Sequence, residues 1–421
     1  MPCVRFHCPA RASLRCWIHG HSAPKRSSNQ PMMGSSMCAS TSRLANFMTT
    51  TARWKSMWSV VPHLCLRHRV RNTSASKSQQ VVSRWDRRRW LMGGSAGLLL
   101  WATGCTSRRQ GREVVAYVAL DAEFSQPILE EFERTRGIDV RAVFDVESTK
   151  TVGLVNRLIA ERRRTRCDLF WNNEILHTLR LKKLGMLQPF EPPRDYRVPD
   201  TFRDPQGQWY GFAARARVFL VRKNLPSDTR PTSIQDLAEP KAGLRPAMAR
   251  PLFGTTATHA AVLFSQWGRT RATKYYRAVR EKTRIYSGNR QVAEAVGRGE
   301  VDFGITDTDD AIVQIEKGAP VEVIFPDQGE SDIGTLFIPN TICLLRGAPH
   351  RSEAQELARF LLSSHVETRL ARGPSAQIPL RQDVSARSRI AADAVRPAAV
   401  DFERAAGVWP DAMKVLGPLF R

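Results

Sequence analysis

Three carboxylates stand within four residues in GITDTDDA (304–311): Asp307, Asp309 and Asp310. Placed directly after the apolar run VDF, such a cluster can cap a helix, carry out acid–base chemistry or hold a cation. A helix start accounts for one carboxylate, most naturally Asp307. A second and a third repel it and each other unless something cationic sits nearby. Neighbouring helical side chains diverge by roughly 100°, so Asp309 and Asp310 converge on one ligand only in the first turn. Glu174 in FWNNE (170–174) is a further acidic group at a junction of the same kind. Short polar side chains gather at the other junctions, LDAEFS (120–125), FGTTATH (253–259) and YSGN (286–289). There Thr255, Thr256, Ser287 and Asn289 offer hydroxyl, amide and backbone donors, which suit an anion at a helix start and equally suit simple N-capping.

Catalytic constellations find little support. The sequence has no GxSxG elbow, no GxxxxGK loop and no HExxH pair, and its first strand–helix turn lacks GxGxxG. Only His177, His259, His350 and His365 lie beyond the first third of the chain, and no aromatic-rich cleft accompanies the carboxylates as a glycosidase would need.

The elements that must position these groups alternate from Glu113 onward. EVVAYVAL (113–120) reads as a strand. SQPILEEFERTRG follows as a helix, with Ser125 as N-cap, Ile128, Leu129 and Phe132 on one face and Gly137 as the stop. IDVRAVF, a helix over 149–163, the strand CDLFW and a helix ending at Gly185 continue the pattern. A Pro-rich connector spans 186–213. Then come the strand RARVFLVRKN (215–224), helices over 257–269 and 271–281, strand TRIY, helix 289–298, strand VDFGIT, helix 309–317 and strand VEVIF. The run GTLFIPNTICLLRG and helices over 351–363 and 365–372 close the patterned part, and the tail from 381 is weakly helical. This alternation predicts α/β architecture with parallel βαβ units. The junctions then lie at the carboxyl ends of strands, where open α/β sheets bind ligands.

Charge separates this body from what precedes it. Nineteen of the 64 Lys and Arg, but one of the 40 Asp and Glu, fall in residues 1–112, so the front carries +18 of the +24 net charge and the body +6. A body near +6 is an ordinary surface, and the nucleic-acid reading loses most of its support. Cys3, Cys8, Cys16, Cys38, Cys65 and Cys105 also sit in the front; Cys167 and Cys343, isolated in the body, read as buried small hydrophobes. Residues 83–105, SRWDRRRWLMGGSAGLLLWATGC, combine an arginine run with an apolar stretch of signal-peptide length. DRRRWL resembles the twin-arginine export motif, and ATGC resembles a bacterial lipobox that would make Cys105 the lipidated first residue of the mature protein. The basic, acid-poor front also fits an organelle transit peptide, but the expected division is a non-native or disordered extension over 1–80, with translation starting near Val81 or Val82, and a lipoprotein signal peptide over 81–105.

From about 113 to 380 the body resembles bacterial periplasmic solute-binding proteins of ABC transporters, in the iron(III)-binding branch. The resemblance rests on ordered blocks: VVAYVAL…ILEEFERTRGIDV, CDLFWNNE…LKKLGMLQPFEPP, WYGFAARARVFLVRKN, SGNRQVAEAVGRGEVDFGITDTDD, GTLFIPNTICLLRGAPH and GPSAQIPL. It implies an α/β, two-lobed periplasmic binding protein fold (type II) with a ligand cleft between lobes. The lobes would be 113–213 with 331–421, and 214–330. It also implies a monomer that works with an inner-membrane permease and its ATPase, binds no nucleic acid, and has neither enzymatic activity nor a catalytic cofactor. Iron-binding members use a tyrosine pair where this chain has Asp309 and Asp310, and many carry a histidine where it has Asp121. Carboxylates remain hard oxygen ligands, suited to iron and to other hard cations. Either Arg215 or Arg217 in ARAR can pair with a co-bound anion, with Arg215 the first choice. The expected ligand is a metal ion or metal–anion complex. Glu174, Asp309, Asp310 and Asp121 would face the cation, and Arg215, Thr255, Thr256, Ser287 and Asn289 the anion. The alternatives are a small organic amine or a phosphate or carboxylate ligand and, further off, an enzyme on the same frame.

Overall fold

The computed structural model describes residues 111–145, 152–241, 243–390 and 394–421. The expected front extension, export signal and Cys105 lie outside the described residues, as does the start of the helix expected over 149–163.

Strand β5 (Trp209–Arg222) is the spine of the molecule. Thirteen of its 14 residues are buried, the pattern of a strand covered on both faces. Its first part pairs antiparallel with β10 (Phe337–Leu345) and its second part with β8 (Phe303–Asp307) and β9 (Val321–Ile324). Beyond β10 lie β3 (Leu169–Asn172), β1 (Glu113–Val118) and β2 (Asp139–Phe144), mutually parallel, with the short β4 (Leu187–Gln188) on the other end of β10. Beyond β8 lie β6 (Pro246–Ala249) and β7 (Arg284–Tyr286), again parallel. The order is β2-β1-β3-β10-β5-β8-β6-β7. The expected parallel βαβ units thus form two blocks, joined through antiparallel long strands that the alternation alone did not predict. The pairing of β5 with β10 shifts register between Pro339 and Asn340, opposite Ala213, whose φ is 40°. That irregularity falls within the part of β5 paired with β10, ahead of the pairing with β8 that begins at Arg217.

The helices largely follow the sequence pattern: α1 (Ala122–Arg136), α2 (Val152–Ala160), α3 (Leu176–Lys183), α4 (Gly254–Lys282), α5 (Asn289–Gly297), α6 (Thr308–Glu316), α7 (Arg351–Leu361), α8 (Ser364–Arg372) and α9 (Phe402–Phe420). One expectation changes and one is met. Ser125 does not cap α1; the helix begins three residues earlier, and the buried Ser125 hydroxyl donates to the carbonyls of Leu120 and Asp121. The two helices expected over 257–269 and 271–281 are there as the two arms of α4, separated by a kink at Gly268, where φ is 76° and only glycine adopts the turn without strain.

Each half has apolar cores on both faces of its strands. Val114, Phe132, Trp171 and Leu357 mark one of the first half, and Phe219, Phe264, Tyr276 and Phe303 one of the second. The start of α9 adds Phe402 and Ala405 to the first half, and its end adds Ala412, Leu416 and Phe420 to the second. Cys167 and Cys343 are buried free thiols, and burial pushes both up. Among the described residues, no helix is long and apolar enough to cross a membrane.

Candidate functional site

Strand ends and helix starts of both halves surround a cavity of about 320 Å³. Asp121 enters it from the β1–α1 turn and Asn173 from the end of β3; Arg215 comes from β5. The second half supplies Arg250 and Gly254–Thr256 before and within α4, Ser287–Asn289 at the start of α5, and Asp307, Asp309 and Asp310 around the start of α6. Larger hollows exist, about 1230 Å³ along the Pro-rich connector and about 770 Å³ against α9. Neither gathers helix starts from both halves around converging carboxylates, so the chemistry points to the smaller one.

Asp307 and Arg217 form its base. They are register partners on the antiparallel β8 and β5. Both are almost fully buried. The Arg217 Nη1 donates to Asp307 Oδ1 at 2.7 Å, while Thr255 Oγ1 (2.6 Å) and Asn289 Nδ2 (3.0 Å) donate to Asp307 Oδ2. Arg217 also donates to Thr255, Thr256 and Asn289. Asp307 occupies the N-cap position of α6 but its side chain does not cap the helix, so the capping expected of it is replaced by this cross-strand ion pair. Burial alone would raise the Asp307 carboxyl; Arg217 and then Arg215 outweigh it and hold it below the usual range. Burial and the Arg217 charge push His259, behind the pair on α4, down to about 3, so its imidazole is neutral.

Above this base sit Arg215 and Asp309. Successive side chains on a strand alternate sides, so Arg215 and Arg217 point the same way. Arg215 Nη1 lies 3.2 Å from Asp309 Oδ2 and 3.7 Å from Asp307 Oδ2, and its Nη2 donates to the Asn173 carbonyl. Its Nε is buried without a partner among the described residues. Asp309 Oδ1 accepts from the Asp310 backbone N–H at 3.0 Å. One carboxylate oxygen from each of Asp307, Asp309 and Asp310 lies within 4.8 Å of the others, a spacing that hard-cation ligands adopt. Asp121 lies at the far rim, 2.8 Å from Arg290 of α5.

Glu174 does not join them. It is fully buried and turned onto its own chain: Oε1 accepts from Asn172 Nδ2 and the His177 N–H, Oε2 from the Leu176 N–H and Thr258 Oγ1. The neighbouring Asn173 faces the cavity instead. His177, which one turn of helix allows to share a face with Glu174, is buried as well, and burial lowers its pKa. Ser287 lines the cavity but its hydroxyl donates to Gln291. Thr255, Thr256 and Asn289 line it with side chains already engaged in the Arg217–Asp307 network. Sequence reasoning left Arg217 as the second choice to Arg215 and missed Asn173, Arg250 and Arg290. Two arginines at i and i+2 in an otherwise apolar strand were the available signal that both share one destination.

A profile of the bacterial extracellular solute-binding protein family matches residues 114–372. The chain is 25% identical over 211 residues to the Fe(3+)-binding periplasmic protein of Serratia marcescens, a match spanning 50% of this chain and 61% of that one. It is 25% identical over 271 residues to a putative 2-aminoethylphosphonate-binding periplasmic protein of Salmonella typhi, covering 63% and 76% of the two chains. Among solved structures, iron-bound HitA from Pseudomonas aeruginosa superposes with a TM-score of 0.65 at 22% identity, over 73% of this chain and 99% of that one. That likeness gives the fold, the two-lobed type II architecture of periplasmic binding proteins. The chain belongs to the bacterial extracellular solute-binding protein family, a transport family rather than an enzyme family.

Proposed function

We propose that this protein is the exported, lipid-anchored substrate-binding component of an ABC importer. Its lobes, 113–213 with 331–421 and 214–330, would close on a small ligand carrying positive and negative charge together. The first choice is a metal ion, iron(III) or another hard cation, that arrives with its anion. After export through the twin-arginine-like signal, Cys105 would hold the monomer at the membrane, where it delivers the ligand to a permease and its ATPase.

The observation that carries this reading is the pairing of Arg215 with Asp309 inside the cavity where Asp307, Asp309 and Asp310 converge. A bare cation on Asp309 would face a guanidinium at close range. At about 4 Å and an effective dielectric near 20, each unit of charge repels by about 4 kcal/mol. A ligand that brings its own anion removes that conflict by exchange: the anion takes Arg215 and the cation takes Asp309. Asp310 and Asp121 complete the cation side. On the anion side, Arg215 acts with the backbone N–H groups at the starts of α4 and α5. Thr255 and Asn289 act through Asp307, which they hold in place, Thr256 through Arg217 and Asn289, and Ser287 stands at the rim. Glu174 would take no part in binding; its oxygens hold the start of α3.

A zwitterionic amine–phosphonate is the second reading. It fits the same exchange, and Arg215, Arg217 and Arg290 already offset most of the charge of Asp121, Asp307, Asp309 and Asp310. The relatives are named for an Fe(3+) and for a 2-aminoethylphosphonate cargo, one from each class. Calorimetric titration of the purified chain with ferric citrate, 2-aminoethylphosphonate and inorganic phosphate separates them. Ferric citrate binding that a chelator reverses supports the first reading, and binding of the aminophosphonate alone supports the second. If Asp309→Ala/Asp310→Ala leaves the binding of every probe unchanged, the site assignment is wrong.

A further inference from the structure

Arg290 is the second residue of α5 in the second half, and its guanidinium reaches across the mouth of the cavity. Nη2 lies 2.8 Å from Asp121 Oδ2 and 2.6 Å from Glu123 Oε1, both at the start of α1 in the first half. Nε lies 4.0 Å from Asp310 Oδ1 on α6 of its own half. One side chain therefore touches both walls of the cleft and two of the carboxylates assigned above to the cation side. The helices that carry it are anchored on opposite cores. Phe124, Ile128, Leu129 and Phe132 of α1 pack into the first half, while Val292, Ala293, Ala295 and Val296 of α5 pack into the second. The second anchor is tight: a Cβ at Gly304 on β8 would meet Val292 at 2.5 Å, so α5 sits directly on the strand. Movement of one half against the other must break the Arg290 pairs, because neither helix can follow its partner alone.

We propose that Arg290 is a tethered cation that sets both closure and specificity. Without ligand it occupies Asp121 and Glu123 and latches the two halves together. With ligand it competes with the positive end of the cargo for Asp121 and Asp310, and must retire to Glu123 before that end can enter. A cargo whose positive charge is weakly bound by carboxylates is rejected by this competition, since displacing a tethered guanidinium costs more than displacing water. The specificity half rests on the function proposed above; the latch does not.

Hydrogen exchange of the purified full chain without added ligand tests the latch. Peptides over 120–126 and 286–292 should exchange about two- to fivefold faster in Arg290→Gln than in the wild type at low salt, the scale of exposed ion pairs. Arg290→Lys should restore part of the protection. At high salt the difference should shrink, because exposed pairs are screened. Asp121→Asn/Glu123→Gln should match Arg290→Gln, and combining all three should add nothing. Unchanged exchange at low salt, or effects that simply add, would overturn the latch. A peptide over β1 reports intact folding in every variant. Titration with ferric citrate and 2-aminoethylphosphonate tests the competition: Arg290→Gln should bind the active probe about two- to fivefold more tightly. An unchanged or weaker affinity would overturn the competition. If neither probe binds wild type or variant, the ligand reading and the competition fall together while the exchange result still decides the latch.

Discussion

Each half of the molecule has a strand that hands acidic residues to a helix: β3 to α3 at FWNNE, and β8 to α6 at ITDTDD. The two junctions treat their carboxylates differently. Glu174 precedes α3 by two residues, close enough to curl back onto the unpaired N–H groups of Leu176 and His177. With Asn172 and Thr258 also donating, both of its oxygens are taken. At the second junction the strand ends on the first aspartate itself, and Asp307 is claimed sideways by Arg217 on the adjacent strand. The next two carboxylates fall in the first turn of α6 and face the cavity. A carboxylate at a helix start is therefore structural or ligand-facing according to which donors reach it first, and a shift of one or two residues decides that.

The sharpest way to break this comparison is to remove the partner that claims Asp307. Arg217→Ala takes the nearer cation from the buried Asp307, leaving Arg215 at 3.7 Å, and should cost about 3–5 kcal/mol of stability, read by urea unfolding at pH 7. A loss under about 1 kcal/mol would mean that Asp307 is not held as described. Next in size, Glu174→Ala strands several buried donors and should cost about 2–3 kcal/mol, while affinity per folded molecule stays within about twofold. Intact stability with a large loss of affinity would reverse the contrast between the junctions.

An acid titration probes the shielded base of the second junction. His259 has its pKa pushed down to about 3 from an ordinary value of about 6.5. The folded state binds fewer protons than the unfolded one, so the His259 contribution is complete above pH 6.5 and is lost as pH falls toward 3. Between pH 6.5 and 4.5 the wild type should lose about 2 kcal/mol more than His259→Asn, measured as the difference in urea midpoints. Equal slopes would show that His259 is not buried beside the Arg217 charge. Asp310→Asn should have the smallest effect on folding, within about 0.5 kcal/mol because its side chain is partly exposed. It should still weaken ligand binding about tenfold, near 1.4 kcal/mol. A stability loss comparable to that of Glu174→Ala would place Asp310 with the structural carboxylates.

Much of the element order was legible because apolar periodicity is a local property. IDVRAVF, SGNRQVAEAV and VDFGIT announce their elements within a few residues, and β2, α5 and β8 stand there. Errors came where neighbours override local signals. Strand β5 begins at Trp209 rather than 215, since Gly211 and the paired alanines are weak strand formers that β10 pairs all the same. Strand β6, the four residues PAMA between two parallel partners, has no β-branched residue to betray it. The site divided along the same line. Asp309, Asp310, Asp121 and Arg215 were placed by their junctions and by resemblance, and they line the cavity. Glu174 carries the same local signature and does not.

What the sequence by itself determined was the alternation of elements, the family resemblance and the set of junctions at the strand ends, because each depends on residues close along the chain. Which carboxylate meets which cation was decided only by the tertiary structure. Arg217 reaches Asp307 across 90 positions and Arg290 reaches Asp121 across 169. Hydrogen bonds and ion pairs act over a few ångströms in space whatever the separation in sequence. The roles of these charged groups were therefore fixed when β5 aligned beside β8 and the two halves met, and no local pattern could carry that information.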